Sequence, residues 1–136
     1  MTIHLDGKDL FNSQQLEVAI HGPDGATHLI LCTGFADSKV ARRKTCTFLV
    51  GPQLSRHQFV AVTASAAIST IQGYNMYSSR QEDDRHMDAS LLRIEGCFDP
   101  EACQVRVRVK VSLGPAMSKM AISYNVCILA ELPNSC

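Results

Sequence analysis

Along residues 104–111 of this chain, Val105, Val107, Val109 and Val111 alternate with Gln104, Arg106, Arg108 and Lys110. A period of two puts one set on each side of a pleated strand, so this segment predicts a strand with one face in a core and the other in water. The same alternation over residues 14–20 sets Leu16, Val18 and Ile20 on one face. His21-Gly-Pro-Asp-Gly-Ala26 then supplies turn residues, and an apolar run at 28–32 follows. Together these predict a β-hairpin. Residues 45–50 form another β-branched run, stopped by Gly51-Pro52, and residues 120–132 form a long one before Pro133. The last two strands are expected to pair antiparallel across residues 114–119. Residues 33–45 lack period two and carry Gly34, Asp37, Ser38 and a basic triplet, which predicts an exposed connection.

Two segments fit both periods. In residues 58–72, Ala64, Ala67, Ile68 and Ile71 suit a helical face, while Val60, Val62, Thr63 and Thr70 favour a strand. The β-branched opening and the lack of an N-cap signature favour strand there. Residues 86–96 read equally as a short helix ending near Gly96 or as a strand through Leu92-Arg-Ile-Glu. The expected fold is mainly β, an antiparallel β-sandwich or barrel, with residues 1–136 forming a single globular domain. The alternative is α+β, with one or two short helices at 60–71 and 86–95.

Composition narrows the function more than it names it. With 46% apolar and 19% charged residues the chain has the material for a core. Thirteen basic and thirteen acidic residues cancel, whereas binding to phosphate backbones ordinarily shows a positive excess, so nucleic acid is not expected as a partner. Apolar runs fall short of the roughly 20 residues a membrane-spanning helix needs. The opening residues lack the basic and then apolar pattern of a secretory signal, so a cytoplasmic location is expected, with most of the six cysteines reduced and buried.

Residues 73–88 are the most polar part of the chain and read as a long loop. Long loops inside compact domains are disproportionately functional. Tyr74, Asn75 and Tyr77 offer amphipathic rings and adaptable hydrogen bonding, the composition of recognition loops. Beside them Arg80 and the acidic run Glu82, Asp83, Asp84, His86 and Asp88 could present carboxylates and an imidazole on one extended face. The bland reading of that run is a solvated loop with loosely paired charges.

Arg42, Arg43 and Lys44 in a loop, with Arg106, Arg108 and Lys110 on a strand, would together make a patch for an anion. Cations on the outer face of a half-buried strand also serve simply to keep sheets apart. Cys97 and Cys103 bracket a turn at Asp99-Pro100, a spacing that permits a disulfide across a hairpin mouth, although two free thiols are the favoured reading. The five histidines are scattered and no paired-ligand spacing occurs, so no metal and no cofactor is expected. No nucleophile elbow or phosphate loop is present, which leans against an enzyme without ruling out a triad assembled from distant residues.

The expected function is a non-catalytic binding or assembly module on a sandwich or barrel scaffold, with residues 74–88 as its polar recognition loop. Its partner would be a protein, a small ligand or further copies of itself. One rival reading is a structural protomer of a homo-oligomeric or phage-like assembly. The other is a small β-barrel enzyme or ligand carrier.

Overall fold

The computed structural model describes residues 2–22, 25–38, 44–73, 89–113 and 117–132. These form eight strands and no helix: β1 Thr2–His4, β2 Leu10–Gly22, β3 Gly25–Ser38, β4 Lys44–Val50, β5 Phe59–Gly73, β6 Ala89–Asp99, β7 Gln104–Leu113 and β8 Met117–Leu132. A short sheet runs in the order β1-β4-β7-β6 and a long sheet in the order β2-β3-β8-β5. Every pairing is antiparallel except β1 with β4. The two sheets pack as a sandwich and share no strand, so the barrel alternative is excluded. The helical alternative fails as well, because residues 60–71 and 86–95, where described, lie in β5 and β6.

Alternation explains the core. From β7, Val105, Val107, Val109 and Val111 are buried opposite Val50, Phe48, Cys46 and Lys44 of β4. From β8, Met120, Ile122, Tyr124, Val126, Ile128 and Ala130 are buried beside Ile30, Cys32 and Ala36 of β3. The Phe48 and Tyr124 rings meet across the layers with centroids 5.0 Å apart. Gly34 lies opposite Tyr124, and a Cβ there would stand 2.5 Å from the tyrosine oxygen. Along one side β5 and β6 close the sandwich, through the stacked rings of Phe59 and Phe98 and the seating of Val62 against Gly96.

Two expectations are corrected by this topology. Residues 33–45 are not simply a connection, because β3 continues to Ser38 and β4 begins at Lys44. Outward Thr33, Phe35 and Asp37 conceal the inward set, Cys32, Gly34 and Ala36, and the glycine and alanine weaken the apolar signal. The last two strands do not pair: β7 sits between β4 and β6, whereas β8 lies between β3 and β5. Each has a core-facing side that must be covered by the opposite layer, and the chain changes sheet between them.

Candidate functional site

The hairpin of β2 and β3 forms as its turn residues imply, with paired backbone from Leu10 opposite Ala36 to Gly22 opposite Gly25. Leu16 opposes Leu31 and Val18 opposes Leu29, while Glu17 opposes the buried Ile30. Leu16, Val18 and Ile20 therefore project from the long sheet on the side away from the core, where alternation also places Leu29, Leu31 and Phe35. Cys127 and Leu129 of β8 extend this outward face, since they oppose Leu31 and Leu29. Leu16, Val18 and Ile20 are 59%, 44% and 55% exposed, far above what a core-facing stripe would show.

β2 ends the sheet, and residues 11–20 are exposed on both faces. The inward side of β2 carries Glu17, whose Oε1 lies 2.6 Å from Nδ1 of His28. Near the start of the strand a bulge between Phe11 and Gln14, with Asn12 at φ 52°, kinks the backbone. Phe11 stacks on Phe35 at 5.3 Å between centroids. Across the middle of the outward face lies a shallow depression of about 260 Å³, bordered by Leu31, Thr33, Thr63, Ser65, Asn125 and Cys127. Its lining offers hydroxyls, an amide and a thiol, with no charged group.

The outward face of the short sheet is different in kind. Arg106 donates from Nε (2.9 Å) and Nη2 (2.5 Å) to Oδ2 of Asp99, and its hydrogen bond is the main reason the Asp99 carboxyl is held below its usual pKa. Oδ1 of Asp99 accepts from the backbone of Glu101 and Ala102, so the one carboxylate fixes the β6–β7 turn. Glu95 pairs with Arg93 at 3.2 Å and with Arg108 at 3.6 Å. A depression of about 160 Å³ lies among Thr45, Arg93, Glu95, Arg108 and Lys110.

Of the residues expected to form an anion patch, Arg106, Arg108 and Lys110 share this outward face, with Arg106 and Arg108 engaged by carboxylates. Lys44 lies on the other side of the sheet, 3% exposed among core residues, and its Nζ has no hydrogen-bond partner among the described residues. Burial pulls its pKa below the ordinary value. Arg42 and Arg43 lie outside the described residues, as do Tyr74, Asn75, Tyr77, Arg80, Glu82, Asp83, Asp84, His86 and Asp88 of the expected recognition loop.

The disulfide that the Cys97 and Cys103 spacing permits is not formed, and both thiols are free. Register sets Cys97 opposite Arg106, and Cys103 sits within the turn at φ 54°, with its thiol 3.6 Å from the Pro100 carbonyl. Cys32 is an inert core thiol, pushed up to about 11 by burial and by nearby Cys127. Among the described residues no three His, Cys, Asp or Glu side chains gather to hold a metal. No helix of the described residues is long and apolar enough to cross a membrane.

The outward stripe on β2 is visible in the sequence, but alternation alone assigns an apolar stripe to the core. Nothing within β2 marks the stripe as outward, since the opposite set, Gln15, Glu17 and Ala19, would also accompany a core-facing stripe; the placement follows from the pairing with β3, where Gln15 and Glu17 oppose the buried Cys32 and Ile30. Comparison with known proteins finds no matching family model, curated protein or solved structure.

Proposed function

We propose that this protein is a non-catalytic assembly module that joins copies of itself through the long sheet. The observation that carries the reading is β2, a 13-residue strand at the sheet's end whose residues 11–20 are exposed on both sides and continuous with an outward apolar face. A sheet end presents unpaired N–H and C=O groups along its length, and an apolar stripe beside it adds burial to any strand that docks. The outward face of the short sheet, with its paired charges and outward lysine, is the water-facing side of such an assembly.

The test is the mass of the purified protein by size-exclusion with light scattering from about 1 to 500 µM, a span that covers weak and standard interfaces. Two salt concentrations, with and without reductant, separate apolar association from charge pairing and from cross-linking through exposed thiols. A defined oligomer that persists in high salt and reductant is expected. A monomer of 14.9 kDa throughout overturns the reading.

A further inference from the structure

We infer that two copies associate by antiparallel pairing of β2 with β2, about a two-fold axis perpendicular to the long sheet at Val18; this rests on the assembly reading above and specifies its contact. Four strands end the two sheets, and three of them carry features that discourage pairing. β1 has only three residues. β6 is bulged between Leu91 and Arg93 and carries Arg93 and Glu95 outward. β5 is bulged at three places and packs on β6. On β2 the bulge lies at the beginning, and residues 14–22 beyond it are regular, without proline, lysine or arginine. Their one carboxylate, Glu17, is already hydrogen-bonded to His28 of the same chain.

Register follows from the ends of this segment. The bulge limits it on one side and the hairpin turn on the other, and the midpoint of residues 14–22 is Val18. An axis there lets the whole segment pair. Val18 then opposes Val18 of the second copy, and Leu16 and Ile20 oppose each other twice, all on the outward face. On the other face Glu17 opposes Ala19. Moving the axis one residue to Glu17 would set two carboxylates directly against each other, which disfavours that register. An axis perpendicular to the sheet keeps both outward faces on the same side and closes the contact as an isologous dimer, an eight-stranded continuous sheet. Nine paired positions per copy fall below the 20–30 residues of a standard interface, so a dissociation constant of about 1–100 µM is expected.

The experiment compares the wild-type chain with Val18→Lys and Leu129→Lys by sedimentation velocity over about 1–500 µM, with circular dichroism to establish folding. Val18→Lys sets like charges across the axis and should weaken the dimer at least about tenfold, while Leu129→Lys, on the outward face but away from β2, should leave it intact. In a chain with Cys97→Ser, Cys103→Ser, Cys127→Ser and Cys136→Ser, Val18→Cys should form a disulfide with its own counterpart under mild oxidation. Directly opposed Cα atoms lie about 4.5–5.5 Å apart, within reach of the bridge, and peptide mapping would identify the link. An oligomer that survives Val18→Lys, disperses with Leu129→Lys, or never links through position 18 overturns the β2 contact and leaves the assembly reading standing. A monomer at every concentration overturns both.

Discussion

The most constrained residues are those where a small side chain meets a large one. Gly34 leaves the space that Tyr124 occupies, and the tyrosine also lies 3.3 Å from Ser13 Oγ and packs on Phe48. Gly34→Ala forces the ring out of a filled core, and a loss of about 1–3 kcal/mol is expected from the shift in the urea midpoint at unchanged slope. Lys44 is the opposite case, a charge placed where a hydrophobe would fit. The folded state lowers its pKa from 10.5, so below that lowered value the unfolded chain holds the proton more readily and the lysine opposes folding. Lys44→Met should therefore stabilise the protein by about 1–3 kcal/mol near neutral pH. The gain should shrink as the pH rises from the lowered folded value through 10.5, above which the wild-type lysine is neutral in both states. Thermal melts of both chains at pH 7 and 10 check the size and the trend.

At the scale of elements, alternation made β7 and β2 legible, because each keeps a polar and an apolar side distinct, while β3 and β8 were legible as apolar runs bounded by turn residues and by Pro133. The strand in residues 58–72 was harder to read: the bulge after Ile68 breaks the period of two, so Ile68 and Ile71, three apart as on a helical face, register with Ile122 and Met120. What alternation cannot convey is which layer covers a face. The outward stripe of β2 and the separation of β7 from β8 are both properties of the sheet order, which is set by contacts distant in sequence. The turn between β6 and β7 is held locally, by Asp99 bonded at once to Arg106 and to two turn amides. Since folding lowers the Asp99 pKa from 3.8, its contribution to stability is present above that value and disappears as the pH falls through the folded pKa. Asp99→Asn should melt below the wild type at pH 6, and the two should converge as the pH falls from 3.8 through the lower folded pKa and the wild-type carboxyl also becomes neutral.

Across the whole molecule the strands are unequally secured. β3, β7 and β8 each pair on both sides and bury one face, whereas β2 pairs only with β3 and has residues 11–20 exposed on both faces. Regions with few buried apolar contacts and open backbone exchange their amides at lower free energy than the core. In a dilute solution residues 14–20 should accordingly exchange fastest among the paired strands, with amides bonded to β3 slower than those facing the open end of the sheet. Association through β2 acts on this second set, because in a dimer they become ladder donors while the β3-bonded amides keep the partners they had. Hydrogen–deuterium exchange at about 5 and 500 µM should show protection rising with concentration on alternate residues of β2 and little change in β5, β6 or β7. Protection that rises instead over Leu31, Cys127 and Leu129 would place the contact on the outward face, by stacking of sheets rather than by extension of one.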